Sequence, residues 1–180
     1  MTDLYLGDHK KGEIEIVREL PVFQNEFATL YNDMVRFPDG TKGHYIRFLW
    51  NVDYGVAVIP RKHDKIMLIR EFRHVRRAWG WQIVMGFGED HITPKECAEM
   101  ELYEETGCVA KSIELVGKIP GPTLIHLYEV EIGEQYEPVR EGTEAISDVR
   151  YFSKEEVREL LNTGQVVEPN SYLILLNFCS

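Results

Sequence analysis

Cysteine, long apolar runs and positive charge are all in short supply in this sequence, and each shortage excludes something. Only three cysteines occur in 180 residues, Cys97, Cys108 and Cys179. Their spacing fits no metal motif and their odd number suits a reducing compartment rather than a disulfide framework. The longest apolar runs, such as "YLILLNF" at 172–178, fall short of the roughly 20 residues a membrane-spanning helix needs. No membrane association is expected. Lys and Arg number 20 against 30 Asp and Glu, a formal net charge of −10. That balance argues against a surface built for nucleic-acid backbones or anionic lipid. A polyanionic ligand would need a local arginine cluster or a bound cation. No basic, apolar leader opens the chain, so a cytoplasmic location is expected.

What is present is a globular composition, 44% hydrophobic and 11% aromatic, enough for one domain with a small appendage. The first half reads as strands. "EIEIVREL" alternates, "FATLYNDMVRF" and "HYIRFLW" flank the turn cluster "PDGTKG", and residues 26–50 read as a hairpin. "GVAVIP" and "KIMLIREF" are expected core strands around the polar turn "RKHD", and "WGWQIVMG" is one further short extended run. "SIELVGKI", "LIHLYEVEI" and "DVRYFS" are later strands, and "SKEEVRELLNTG" and "NSYLILLNF" are helices. Strands with helices inserted late predict an α+β chain, or a mixed sheet between helices.

The informative stretch is "GEDHITPKECAEMELYEETGC", residues 88–108. Thr93-Pro94-Lys95-Glu96 supplies a capping hydroxyl, a proline at the first helical position and a glutamate three residues after the cap. Gly107 is the expected left-handed stop. Between these ends Glu101, Glu104 and Glu105 fall on one face, together with Cys97 and Ala98. Like charges at these spacings repel by a few tenths of a kcal/mol per pair, and acids in the last turn oppose the helix dipole. A solvated acidic surface is one explanation. The small residues on the same arc point to a packed face instead, and a hard divalent cation removes both penalties at once.

The segment "MGFGEDHITPKECAEMELYEETGC" resembles the signature of Nudix hydrolases: Gly, five residues, Glu, seven residues, Arg-Glu, an aliphatic, any residue, Glu-Glu, any residue, Gly and an aliphatic. Its opening glycine is Gly86 and its Glu-Glu pair is Glu104-Glu105. "GVAVIP", "IMLIREFRH" and "WQIVMG" are similar to the strands leading into that box. "RFPDGTKGHYIRF" is similar to the N-terminal region of the ADP-ribose pyrophosphatase and nucleotide-sugar hydrolase branch. The likeness covers nearly the whole chain. It departs from the pattern at Ile92, where the first box glutamate falls, at Met100, where the arginine falls, and mildly at Cys108. The first two read as an ion pair exchanged jointly for packing. Gln82 stands where the branch carries a glutamate.

The resemblance implies an α/β/α sandwich with a mixed sheet over residues 51–180. It adds a small antiparallel β unit over residues 1–50 that takes part in a homodimer and helps to build the nucleotide site. It implies Mg²⁺, or Mn²⁺ in its place, on Glu101, Glu104 and Glu105, with the Met85 carbonyl as a further ligand. Glu105 doubles as a catalytic group. Arg73 matches a phosphate-contacting arginine and Arg47, more weakly, a second; a surface arginine is the alternative reading of Arg73. Glu144 is the expected base for the attacking water, with Glu141 second, against the plain reading of a solvated loop acid. Tyr31, Phe23 and Phe27 are candidates for stacking on a base, though strand aromatics more often belong to cores. His126 reads as a strand residue. The implied reaction cleaves the diphosphate of ADP-ribose or a nucleoside diphosphate sugar into a nucleoside monophosphate and a sugar phosphate. A non-hydrolysing module that binds such a ligand is the rival reading. A third is the same chemistry on a dinucleotide or CoA derivative.

Overall fold

The computed structural model describes residues 4–139 and 145–180. Two compact units divide the chain, Met1–Asp53 and Tyr54–Ser180. In the first, strands β1 (Glu15–Arg18), β2 (Pro21–Gln24), β3 (Ala28–Arg36) and β4 (Lys42–Trp50) form one antiparallel sheet. β3 pairs with β4 from Ala28↔Trp50 to Arg36↔Lys42, the expected hairpin. β1 and β2 share the other edge of β3. β2 was not expected from the sequence. It opens on a proline, which a strand tolerates at its first position, and its four residues are all exposed.

The second unit contains β5 (Gly55–Lys62), β6 (Lys65–Arg73), β7 (Ala78–Gln82), β8 (Val84–Phe87), α1 (Pro94–Thr106), β9 (Cys108–Ile119), β10 (Ile125–Gln135), β11 (Ile146–Phe152), α2 (Lys154–Asn162) and α3 (Pro169–Cys179). Its sheet runs β11-β6-β5-β10-β9. β5 and β10 pair in parallel and the other neighbours antiparallel, so the sheet is mixed.

Alternation along the central strands builds a core on each face. Val56, Val58, Met67 and Ile69 pack against Cys97, Ala98 and Leu102 of α1. The intervening Ala57, Ile59, Ile66 and Leu68 pack against Val157, Leu160 and Leu161 of α2 and Ile174, Leu175 and Phe178 of α3. This is the α/β/α sandwich. Leu102 is fully buried at the centre of the α1 side, and Leu102→Ala is expected to cost about 2–5 kcal/mol. Chemical denaturation of the whole chain measures it. A change below about 1 kcal/mol would mean that α1 is not seated by this side chain.

The sheet divides where β5 and β6 separate. These strands pair only beside their turn, at Arg61↔Ile66 and Lys62↔Lys65, and then part. β7 continues along β6, from Arg73↔Ala78 to Ile69↔Gln82. β8 continues along β5, from Val58↔Val84 to Gly55↔Phe87. The stretch "WGWQIVMG" is therefore two strands rather than one, and it changes partner at Ile83. No periodicity could signal that, because both strands are nearly continuous in apolar residues and are set apart only by their pairing.

Candidate active site

Helix α1 begins and ends where its local chemistry dictates. The Thr93 hydroxyl accepts from the Glu96 amide (3.2 Å) and the Glu96 carboxylate accepts from the Thr93 amide (2.8 Å). Gly107 ends the helix at φ 71°, and its amide donates to the Tyr103 carbonyl. The loop that delivers the chain to Thr93 is held by Tyr54. The Tyr54 hydroxyl donates to the Ile92 carbonyl at 2.8 Å, and its ring lies where a side chain on Gly88 would stand.

The acidic arc faces the protein. Cys97, Ala98, Leu102 and Glu105 are buried and Glu101 and Glu104 are half-buried, so a freely solvated acidic surface does not describe this helix. Glu99, off the arc, lies 4.0 Å from Lys95 one turn earlier. Burial pushes the Cys97 thiol up to about 12, helped by the negative charges of Glu101 and Glu89. It is a protonated core residue rather than a nucleophile.

Glu101 sits directly on Gly86. A Cβ built on that glycine would stand 1.8 Å from Glu101 Oε1 and 2.0 Å from its Cδ. Only a residue without a side chain lets the carboxylate reach the strand. The Met85 carbonyl is on the same strand, one residue away, while the Met85 side chain turns to the opposite core. Ile92 packs against the α1-side core, and Met100 is half-buried.

Among the described residues no three acidic, histidine or cysteine side chains close into a metal cage. The oxygen donors on α1 still fit a hard cation. Mg²⁺ takes one or two carboxylates and completes its shell with water and substrate phosphate, and the Gly86 cradle seats the Glu101 carboxylate against β8.

Arg73 and Gln82 meet across the β6–β7 pair. The Arg73 Nε donates to Gln82 Oε1 at 2.6 Å, and Gln82 Nε2 donates to Glu71 Oε2 at 2.5 Å. Arg73 Nη1 lies 3.3 Å from Glu71 Oε1. Gln82 is completely buried. Burial raises the Glu71 pKa, against the opposing pull of Arg73 and the Gln82 hydrogen bond, and Glu168 raises it further. Glu71 was not singled out from the sequence. Its only local sign is the i, i+2 spacing that puts it on the Arg73 face of β6.

Arg47 lies in the N-terminal unit with its charge already engaged. Its Nε donates to Asp33 (2.8 Å), its Nη2 to Glu19 (2.7 Å), and its guanidinium covers the Tyr31 ring at 4.0 Å. Phe23 and Phe27 are exposed. Glu144 and Glu141 lie outside the described residues. His126 is a β10 residue whose pKa is lowered by burial and, less, by Lys118. A cavity of about 490 Å³ lies between α3 and the β5, β9 and β10 strands, lined in part by Arg61, Leu127, Leu173 and Phe178. It includes none of the residues expected from sequence to form the site.

Residues 51–172 match the NUDIX domain model. The chain belongs to the Nudix family. Over 116 residues it is 28% identical to the NAD-capped RNA hydrolase NudC of Vibrio parahaemolyticus serotype O3:K6 (strain RIMD 2210633), an alignment covering 62% of this chain and 42% of that protein. The Nudix chain thus spans less than half the length of that curated relative. Its fold is similar to that in the crystal structure of an ADP compounds hydrolase, with a TM-score of 0.72 and 16% identity over 91% of this chain and 92% of the other. At that identity the likeness is one of fold. Among the described residues no helix is long and apolar enough to cross a membrane.

Proposed function

We propose that this Nudix chain is a divalent-metal-dependent pyrophosphohydrolase acting on a nucleoside diphosphate joined to a second group, with ADP-ribose or a nucleotide sugar as the substrate class. The seating of Glu101 on Gly86 carries the reading: a buried-side carboxylate is held against a strand at the opening glycine of the Nudix box. The family match and the names of the two similar proteins, one a hydrolase of NAD-capped RNA and one a hydrolase of ADP compounds, support a nucleotide-linked diphosphate as the target.

Glu101 and Glu105, with Glu104 assisting and the Met85 carbonyl beside them, would hold Mg²⁺ or Mn²⁺. The bound cation supplies charge neutralisation at the diphosphate and polarisation of phosphorus. Arg73 contacts the phosphates through the guanidinium edge that Gln82 and Glu71 leave open, a fork suited to phosphate oxygens. Glu144 takes the proton of the attacking water, with Glu141 as the second candidate. The products are a nucleoside monophosphate and a sugar phosphate. Arg47 has a structural role in place of, or before, any contact with substrate, since two carboxylates already match its charge.

A homodimer completes the proposal. Phe23, Met34, Ile46, Phe48 and Trp50 are exposed on the N-terminal unit. Phe23 and Phe48 both pair with Leu30, which puts an apolar row on one face of that sheet. A second copy of the chain is the partner that the branch resemblance supplies for it.

The test is a panel of ADP-ribose, nucleotide sugars, dinucleotides and a CoA derivative, with and without Mg²⁺, read as phosphomonoester release. Metal-dependent turnover of ADP-ribose or a nucleotide sugar is expected. Binding without turnover across the panel would transfer the protein to the sensor reading, which the apolar Ile92 and Met100 favour. Turnover confined to dinucleotides or the CoA derivative would change the substrate class.

A further inference from the structure

We propose that Glu71 is a positioning residue for Arg73, and that it supplies, from the neighbouring strand, the carboxylate that is absent at Gln82. This rests on the reading of Arg73 as a diphosphate contact. An arginine has only donors and a carboxylate only acceptors, so a side chain bridging the two must offer one of each. Gln82 does so, accepting from Arg73 Nε at 2.6 Å and donating to Glu71 Oε2 at 2.5 Å. That pattern also fixes which way the amide points. The second Glu71 oxygen lies 3.3 Å from Arg73 Nη1. Glu71 thus holds Arg73 twice, once directly and once through the amide.

Gln82 is therefore not simply a lost charge. A glutamate at position 82 could still accept from Arg73, but it would meet Glu71 with no donor between them. Two carboxylates at that separation cannot both stay ionised. The amide at 82 and the acid at 71 form a matched set. Exchanging the two makes a second matched set with the same net charge. The amide at position 71 would then donate to the acid at position 82, which would accept from Arg73 as well.

The groups facing Glu71 agree with this. Arg73 on its own strand and the Gln82 amide on β7 favour its charged form, and Glu168 at the start of α3 disfavours it. Glu168 has its own occupation, accepting from the Asn170 and Ser171 amides as the α3 cap. Burial is the largest influence and raises the Glu71 pKa, and Arg73 and Gln82 are the groups that oppose it.

The experiment compares Glu71→Gln, Gln82→Glu, the double exchange E71Q/Q82E, Arg73→Ala, and Glu71→Gln combined with Arg73→Ala. KM, kcat and thermal unfolding of the full chain are read for each. Each single exchange is expected to raise KM roughly 10-fold or more, the scale of a lost hydrogen bond to a charged group. The double exchange is expected to return KM to within a few-fold of the unmodified chain. In the Arg73→Ala background Glu71→Gln is expected to add nothing to KM. A purely structural Glu71 would lower the unfolding temperature and leave KM alone, which overturns the proposal. So does a double exchange no better than the worse single one. If Gln82→Glu unfolds alone and folds when Glu71→Gln accompanies it, the matched set is shown through stability. If Arg73→Ala leaves KM unchanged, the diphosphate role of Arg73 fails, and this proposal falls with it by a separate measurement.

Discussion

Glu105→Gln is expected to lower turnover by upwards of about 10²-fold while leaving the fold in place. Loss of a mere supporting partner behind a metal ligand costs about 10–100-fold, and with Glu105 in its proposed role as a ligand the removal of its charge should exceed that. The substitution keeps the size of the side chain, and α1 keeps its capping box at Thr93 and Glu96 and its buried Cys97, Ala98 and Leu102. The loss should therefore appear in catalysis and not in thermal unfolding. The Mg²⁺ concentration giving half-maximal rate should rise as well. Glu99→Gln, on the same helix but off the arc and beside Lys95, is the control expected to change little. Unaltered turnover in Glu105→Gln would remove Glu105 from the site.

Gly86→Ala is expected to separate activity from stability in a different way. The new methyl would stand 1.8 Å from Glu101 Oε1, 2.0 Å from Cδ and 2.5 Å from Cγ. These atoms belong to the far end of a flexible side chain, so the chain can yield by swinging the carboxylate away. The stability cost should stay at about 1–3 kcal/mol, the usual range for overpacking. The activity cost should be larger, because displacing a reacting group by about 1 Å can cost on the order of 10²-fold. The measurement is kcat/KM alongside chemical denaturation. A variant with near-normal kcat/KM would show that the Glu101 position beside the strand is not used in catalysis. Gly107 makes the contrast clear: a Cβ there would meet the Tyr136 backbone carbonyl at 2.0 Å, in a left-handed conformation at φ 71°. Nothing on that side can swing away, so Gly107 serves the fold.

The two cases also mark how far the sequence could be read. Helix α1 was legible to the residue because its ends are decided within a few positions of themselves. Thr93, Pro94 and Glu96 act on one turn and Gly107 on another. The acidic arc was legible for the same reason, since i, i+3 and i, i+4 spacing is a property of the helix alone. That β5 and β6 belong to the core was legible from their apolar runs, while their division between two cores was decided by the helices packed on each face.

The parts that stayed hidden are long-range pairings. The change of partner at Ile83 depends on β5 and β6 parting beyond Arg61 and Ile66, and neither strand states this in its own residues. β2 forms because β3 offers a free edge beside β1, and its short exposed sequence carries little signal of its own. Gln82 looked from the sequence like a missing charge. Its meaning depends on Glu71, eleven residues earlier and across a strand pair.

By itself, then, the sequence determined the helix that carries Glu101, Glu104 and Glu105 and the face on which they stand, because those are settled by contacts within one or two turns. Tertiary structure alone decided that Glu101 rests on Gly86 and that Glu71 stands behind Gln82 and Arg73. Each of those needs two segments distant in sequence to meet, and sheet pairing, not local propensity, brings them together.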